Sequence, residues 1–504
     1  MPRVRMALAL LLAVLAVPAA GREPSAIDSP APGGLAVTIY RAPDRAAKMA
    51  IDRDWARGYA LITERRTLTL PAGAAVVRFQ GVAAGILPES AIVSGLPEGV
   101  REKNLDADLL SPRALYAASF GRPVTIRRHI GKQVREEEGI LRSGPDGAAI
   151  VQTAQGFEAV DCHGGNDAIG YHGVPPALPA KPTLSILLDS PVARTVTVTL
   201  SYLAWGFDWQ ANYVATLSPD GAHADLVAWL TLASSDLTGF PDAETMVVAG
   251  TVKREGRAPY LWERSGTPSL ELQCLSEPEE AEETMQFLPP PPPPPPPPTP
   301  MAAMDIVVTG ARMAVQEDLG DLKLYRVPDR TTVAAKAQKQ VALLDRGAVP
   351  VEVFYRVRLR EGDPGPVRTV LRARNRKDAG LGLPLPAGPV AVFAPRAGVP
   401  LLVGEGGIAD KAIGEDVEID VANATQVTVE AVHPASGKHW EDYGLIVRNA
   451  NPRPIRFEAE IDAVPDHVRK PSVAPVRREG ALRLPVTVPA NGSVTLRYRE
   501  TDAD

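Results

Sequence analysis

The sequence predicts an all-β protein of two or more antiparallel, sandwich-like domains with a polyproline tether inserted. Three observations carry this prediction. Short Val- and Thr-rich runs recur about every 8 to 12 residues with Gly or Pro between them, as in antiparallel sandwiches. The 50 prolines and 42 glycines favour turns over long helices. Apolar and small or polar side chains alternate over Leu203–Tyr213 and again over Val351–Leu359, which is the period of a strand.

The N-terminus has the pattern of an export signal. Arg3 and Arg5 precede the apolar run Met6–Val17, and small residues follow at Val17–Gly21. A membrane anchor is the alternative, but this run is shorter than the roughly 20 residues that a bilayer span needs. We therefore expect residues 1–21 to be a signal peptide and the mature chain to be exported. Its expected location is the periplasm, or association with the outer membrane, without a transmembrane span.

Composition limits both the number of domains and the class of partner. The chain has 504 residues, which is too long for one hydrophobic core and predicts two or three modules. It carries 54 Lys and Arg against 60 Asp and Glu, for a formal net charge of −6. Nucleic acid binding needs a basic excess, so nucleic acid is not an expected partner.

The strand-like runs divide the mature chain into segments. Residues 34–188 are expected to form an N-terminal β domain, in which Lys103–Tyr116 forms a short helix or helical turn. Residues 195–285 are expected to be the first part of a second β domain. Residues 286–321 form the tether, and residues 322–504 form the remainder of the C-terminal β region.

The tether holds ten consecutive prolines, Pro289–Pro298. Such a run adopts polyproline II and would span roughly 31 Å. A looped-out insertion is the ordinary interpretation, and a ligand for an aromatic groove on a partner is the alternative.

Beyond the prolines, a Val-rich segment offers a docking site. The residues Asp305, Ile306, Val307, Val308 and Thr309 belong to an octamer that ends at Arg312. The octamer resembles the N-terminal segment, with the energy-coupling box, of TonB-dependent outer-membrane receptors. That resemblance implies docking to a TonB-like protein by strand addition. An ordinary strand is the alternative.

Cys162 and Cys274 are the only cysteines. In an oxidising compartment they would be able to form a disulfide. Closing a loop of about 100 residues stabilises a fold by on the order of 4 to 5 kcal/mol in the chain-entropy account. Two separate buried thiols are the alternative.

Side chains of the types that bind metals or catalyse reactions occur without a recognisable pattern. Asp161, Cys162, His163 and His172 are zinc-ligand types, but their spacing fits no established site, and a surface loop is the alternative. His433 and His439 are expected in a solvated turn. Asp208 and Asp236 lie near the aromatic run, and no separation between them follows from the sequence. No metal, cofactor or catalytic residue is predicted.

One glycine-rich stretch approaches a dinucleotide-binding motif. Gly404–Ala409 fits G-x-G-x-x-A and follows an apolar run. A dinucleotide site needs a helix next, and here a strand-like alternation follows at Val417–Val421. A glycine-rich turn within a β domain is therefore the prediction.

Several short motifs, spread over most of the mature chain, resemble one family. They are Ile39-Tyr40, Leu70–Gly73, Pro88–Ser90, Ser201-Tyr202, Trp209–Tyr213, Tyr325–Val333, Lys339–Leu344 and Leu383–Val390. They are similar to the domain of unknown function 4139 of mucoidy inhibitor A-like bacterial envelope proteins. The resemblance implies a β-rich exported protein and assigns no catalytic residue. The chain departs from the family by lacking a coiled-coil segment and by the inserted tether.

Two functions are consistent with these observations. The first is a non-catalytic envelope protein that binds a partner protein or a cell-surface polymer. The alternative is a hydrolase of envelope polysaccharide or peptide, whose carboxylates and histidines only the fold would bring together.

Deleting Pro289–Arg312 tests the tether. We expect the thermal unfolding temperature to stay almost unchanged, because an exposed spacer contributes little packing. If the Val-rich segment is a docking site, the deletion abolishes partner capture in crosslinking of the native envelope. Equal capture by the deleted and intact chains would remove the docking hypothesis.

Overall fold

A computed structural model describes residues 24–46, 49–52, 54–96, 98–106, 112–130, 133–144, 148–160, 168–173, 178, 180–250, 252, 313–360, 362–462 and 467–501. The predicted signal peptide, both cysteines and Asp305–Thr309 lie outside the described residues, as does the tether up to residue 312. The disulfide and docking hypotheses stay predictions.

Strands dominate both halves of the chain, which confirms the all-β fold class. The strands before the tether are β1 Ser25–Asp28, β2 Gly34–Tyr40, β3 Tyr59–Leu70, β4 Gly73–Gln80, β5 Ile92–Ser94, β6 Glu102–Asp106, β7 Pro123–Ile130, β8 Gln133–Leu141, β9 Ile150–Thr153, β10 Gly156–Ala159, β11 Ala168–Tyr171, β12 Thr183–Ser190, β13 Arg194–Trp205, β14 Phe207–Leu217, β15 His223–Ser234 and β16 Phe240–Ala249. Strand β17, Val315–Leu319, lies within the last part of the segment 286–321 that the sequence assigns to the tether. The strands after that segment are β18 Leu322–Arg326, β19 Thr331–Val333, β20 Ala337–Arg360, β21 Asp363–Pro364, β22 Arg368–Arg374, β23 Gly388–Arg396, β24 Val399–Ile408, β25 Asp416–Asn423, β26 Val427–Gly437, β27 Trp440–Asn449, β28 Ile455–Ile461, β29 Val468–Arg469, β30 Val476–Arg478, β31 Ala481–Val488 and β32 Gly492–Thr501.

Helix is scarce in the described part of the chain. Short 3-10 turns occur at Pro88–Ser90 and Lys377–Ala379, and the α-helix α1 covers Pro112–Ala118. No helix among the described residues has the length and apolar content to cross a bilayer. The helix expected over Lys103–Tyr116 is wrong in its first part, because Glu102–Asp106 pairs with β12 as a strand. Pro112 begins α1, where a missing N–H costs nothing.

The strands form five sheets. Their orders are β1-β4-β12-β6; β10-β9-β8-β7-β11; β17-β18-β16-β2-β3-β13-β5 with β19 on β16; β24-β23-β14-β15-β20-β28-β31-β30 with β21 and β22 on β20 and β25 on β22; and β26-β27-β32-β29. Most pairs are antiparallel, and β1–β4, β2–β16, β14–β23 and β20–β28 are parallel. The eight-stranded sheet joins strands from both sides of residues 188–195 and both sides of the tether, so the predicted segments share one sheet.

Two large cores lie against the eleven-stranded sheet. The first contains residues of the sheets around β4, β2 and β14, among them Phe79, Ile39 and Trp209. The second lies between β20, β28 and β31 on one side and β27 and β32 on the other, and includes Phe457 and Leu445. A third, small core is formed by α1 and the sheet around β8. Strand β20 is 24 residues long and contributes to both large cores.

The aromatic run Leu203–Tyr213 is not one strand, which corrects the sequence-based interpretation. It breaks at Gly206, whose φ is +94°, so β13 ends in the eight-stranded sheet and β14 begins in the eleven-stranded one. A residue with a Cβ rarely adopts this backbone conformation, and glycine allows the chain to change sheets there.

The Gly404–Ala409 stretch is not a turn, which corrects a second prediction. Its first five residues belong to β24. A Cβ on Gly404 would lie 2.2 Å from the carbonyl oxygen of Val421, and one on Gly406 would lie 2.4 Å from that of Asp420. These glycines therefore let β24 cross close against the backbone of β25.

We expect Gly406→Ala to lower the free energy of unfolding by roughly 1 to 3 kcal/mol, because backbone must move to admit the Cβ. The matched control is Gly144→Ala, where a Cβ would meet nothing within 4 Å. Chemical denaturation of both variants measures the difference. Equal unfolding midpoints for the two would show that β24 and β25 do not pack this closely.

Candidate functional site

The second half of β20 has an apolar face and a charged face. Val357 and Leu359 belong to the second core, whereas Arg356, Arg358 and Arg360 alternate with them. Phe354, also on the charged face, is fully buried and lies 5.0 Å from the guanidinium of Arg356 and 4.1 Å from that of Arg372. The charged face of β20 is therefore covered by protein at Phe354 and Arg356, whereas Arg358 and Arg360 are exposed.

Six buried charges, which we call the ion network, gather on this face. They are Arg356, Arg372, Arg483, Glu418, Glu458 and Glu460, with side chains 4 to 10% exposed. Arg372 donates to both oxygens of Glu458, at 2.9 and 3.0 Å, and to Glu418 at 2.8 Å. Arg356 donates to Glu418 at 2.7 Å. Three positive and three negative groups compensate one another, as buried charges require.

The contacts within the ion network show that the eleven-stranded sheet is curved. Along the path β25-β22-β20-β28-β31, four spacings of about 4.8 Å would place β25 about 19 Å from β31 in a flat sheet. Yet Arg483 on β31 donates to Glu418 on β25 at 3.1 Å and to Glu460 at 3.1 Å. The sheet must therefore curl around the network, with its charged face inside.

Electrostatics within the network hold Glu418 ionised. Burial alone would raise its pKa, but Arg356, Arg372 and Arg483 together lower the pKa to about 2. For Arg372, burial acts to lower the pKa, and the hydrogen bonds to Glu458 and Glu418 outweigh it, so the pKa is raised. Both groups keep their charges across the physiological pH range.

A cavity of about 520 Å³ opens beside the network. Its lining includes Arg356, Arg358, Arg360, Arg368 and Asp420, together with the turn from Asp363 to Pro366. The Nε of Arg356 is buried without a hydrogen-bond acceptor in the described part of the chain, and Glu460 lies 3.8 Å from it. This Nε is therefore closed off from the cavity and is held by the charge of Glu460.

A second cavity, of about 650 Å³, adjoins the first. It also contains Arg368 and Asp420, and it continues to Asn212 on β14 and to Glu405 and Gly406 on β24. We call the two cavities together the arginine groove. Gly406, one of the two glycines that let β24 approach β25, forms part of its wall.

The arginines of the groove differ in what they contact. Arg358 donates to Glu460 at 2.6 Å, and this hydrogen bond raises the pKa of Arg358. Arg360 and Arg368 are exposed, and within the described ranges neither side chain has a hydrogen bond or an ion pair. The guanidinium groups of Arg360 and Arg368 are therefore available to bind a carboxylate of a ligand through bidentate hydrogen bonds.

Some of the residues that carry the family resemblance form a buried aromatic junction next to the second cavity. Tyr213 donates to the carbonyl of Pro386 at 2.7 Å, and Tyr325 donates to that of Pro384 at 3.0 Å. The rings of Trp209 and Tyr325 are 6.4 Å apart. Burial raises the pKa of both tyrosines, so their hydroxyls stay protonated as donors. The junction is a structural contact between distant segments.

The two aspartates near the aromatic run are also structural. Asp208 accepts hydrogen bonds from Arg45 at 2.9 Å and from the backbone N–H of Ala42 at 3.0 Å. Asp236 accepts from the N–H groups of Ala84, Gly85 and Thr238 at 3.0, 2.8 and 2.7 Å. Each carboxylate fixes a separate loop, and neither faces the arginine groove.

The histidines named from the sequence do not converge in the part that the structure describes. His172 is half exposed and contacts Thr125 at 2.9 Å and Glu138 at 3.0 Å. Asp161, Cys162 and His163 lie outside the described residues. His433 contacts Glu441 at 3.0 Å, on the sheet around β27. No group of three metal-ligating side chains occurs among the described residues. The hydrolase alternative stays untested.

Sequence reasoning missed the arginine groove. A signal was present, because Arg356, Arg358, Arg360 and Arg368 cluster within thirteen positions. Alternating charges on a strand normally indicate a solvated face, and only the curled sheet shows that this one is partly enclosed.

Comparisons with known proteins add no name to this site. The sequence matches no protein-family model, and a search of curated proteins finds no match.

Glu418→Gln tests the ion network. Removing one buried charge leaves three arginines against two glutamates, and we expect a loss of about 3 to 5 kcal/mol in the free energy of unfolding at pH 7. The control is Glu430→Gln, whose ion pair with Arg448 is about half exposed and contributes about 0.5 kcal/mol or less.

The same variant has a distinct pH dependence. Because the folded pKa of Glu418 is about 2, below its ordinary value of 4.5, its stabilisation is present above about pH 4.5 and is lost as the pH falls toward 2. The parent should therefore lose more stability over this window than Glu418→Gln does. Parallel curves from urea denaturation would contradict the assignment.

Proposed function

We propose that the chain is an exported, non-catalytic envelope protein that binds an acidic cell-surface polymer in the arginine groove. The observation that carries the proposal is the pair Arg360 and Arg368, which line adjoining cavities without a partner among the described residues. Export itself rests on the pattern of residues 1–21.

The guanidinium donors of the arginine groove indicate that its ligand is acidic. Guanidinium groups bind carboxylates through paired, charge-assisted hydrogen bonds that are stronger than neutral ones. The charges of the ion network compensate one another, so Arg360 and Arg368 are the unpaired cations of the groove among the described residues, although the carboxylates of Asp363, Asp420 and Glu405 also line it.

A polymer fits better than a single small molecule. Each cavity, at about 520 and 650 Å³, already has the size of a small-ligand pocket, and the two meet at Arg368 and Asp420. The second cavity adds Asn212 and Glu405, whose oxygens accept hydrogen bonds from hydroxyl groups. An extended chain that bears carboxylates and hydroxyls, such as an acidic polysaccharide, would bind both the arginine donors and the oxygen acceptors of the groove.

We also propose that the chain is a divergent relative of the domain of unknown function 4139 proteins. Support comes from the aromatic junction, where motif residues Trp209, Tyr213 and Tyr325 meet the motif prolines Pro384 and Pro386. This proposal concerns ancestry and fold, and it is independent of the ligand.

Polygalacturonate is a suitable probe, with its fully methyl-esterified form as the neutral comparison. We expect the purified chain to bind polygalacturonate in calorimetry at least ten-fold more tightly than the ester. The double variant Arg360→Ala with Arg368→Ala should lose at least ten-fold in affinity, since each charge-assisted bond contributes roughly 1.5 to 3 kcal/mol.

The matched control is Arg127→Ala with Arg448→Ala, which removes two exposed arginines outside the groove. It should bind as the parent does. Equal affinity for the acid and its ester, or equal losses in the two double variants, would contradict the proposal. If the groove captures an envelope protein and does not bind the polysaccharide, its ligand is a protein and the polymer proposal is wrong.

A further inference from the structure

A hairpin beside the groove carries an exposed apolar tip. Strand β14 pairs with β23 only at Val390–Phe393. From Ala394 to Val403, which we call the apolar hairpin, β23 and β24 pair only with one another in the part that the structure describes. Val399, Leu401, Leu402 and Val403 are between 42% and 57% exposed.

The apolar hairpin is hydrophobic on both faces. Leu401 is opposite Ala394 and Leu402 is opposite Phe393, so these adjacent leucines point to opposite sides. A protein that packs against one face would leave the other face in water. An apolar environment that surrounds the tip would remove both of its apolar faces from water.

The free edge of β24 is poorly suited to strand addition. Pro400 has no N–H to donate, and β24 has a bulge at Val403, which has no partner in the register between the pairs Val392–Gly404 and Phe393–Leu402. Pairing of this edge with a second copy or with an extended peptide is therefore disfavoured.

The charge and turn of the hairpin fit a lipid surface. Ala397 and Gly398 have φ of +51° and +79°, as in a tight two-residue hairpin turn. Arg396 precedes the turn, and Ala394–Gly404 contains no carboxylate. An arginine beside exposed leucines can place its guanidinium among lipid phosphates while the apolar side chains enter the acyl boundary.

We propose that the apolar hairpin inserts into a lipid surface and holds the chain against a membrane. The same strand, β24, supplies Glu405 and Gly406 to the arginine groove. Insertion therefore places the groove next to the membrane, whichever ligand the groove binds.

Flotation with vesicles of phosphatidylethanolamine and phosphatidylglycerol tests this proposal on the full mature chain. The parent should float with the vesicles. The variant Leu401→Asp with Leu402→Asp should bind at least ten-fold less, because two charges would have to enter the apolar layer. Its unfolding temperature and polygalacturonate affinity should equal those of the parent, since both leucines are exposed.

The matched control is Val134→Asp with Phe157→Asp, two exposed apolar residues on the sheet around β8. It should float as the parent does. A parent that fails to float, or a control that loses as much binding as the hairpin variant, would overturn the proposal. A dimer in sedimentation that the hairpin variant abolishes, without vesicle binding by the parent, would assign the tip to a second copy.

In a second readout, Leu402→Trp should show a blue-shifted emission with these vesicles and quenching by lipids brominated on their acyl chains. An unshifted, unquenched emission would place the tip in water.

Discussion

The buried ion network is the constraint on which the C-terminal half of the protein depends. Taking six charges out of water costs several kcal/mol per ion unless each finds partners of opposite charge. Arg356, Arg372 and Arg483 meet Glu418, Glu458 and Glu460 only if the sheet curls until β31 approaches β25. That curl leaves the apolar face of β20 and β28 for the second core, and it leaves Arg360 and Arg368 at the open end.

Local pattern predicted the strand class well and the site poorly. The alternation Val351–Leu359 identified a strand, but which face is enclosed depends on Glu458 and Arg483, about a hundred positions further along the chain. The periodicity of one strand gives no information about ion pairs with residues so distant in sequence. Gly404 and Gly406 read as a turn because glycine is common in turns, whereas here its missing side chain serves the approach of two strands. Glu102–Asp106 became a strand because β12 offered backbone partners.

The aromatic run explains why short motifs could be recognised in the sequence. Trp209, Tyr213 and Tyr325 are large buried side chains whose N–H and O–H groups donate to main-chain carbonyls, so few other side chains could take their places. The groove has no such requirement, because exposed arginines tolerate many surroundings. These motif residues therefore describe how distant segments meet, whereas the proposed function rests mainly on Arg360 and Arg368, which belong to none of the motifs.

Hydrogen exchange of the mature chain with and without oligogalacturonate tests the central claim most directly. If the arginine groove binds the acidic polymer, amide exchange slows in two segments, residues 360–368 and 405–421, and the sheet around β27 is unaffected. Protection confined to that sheet or to the N-terminal strands, with residues 360–368 unchanged, would contradict the account.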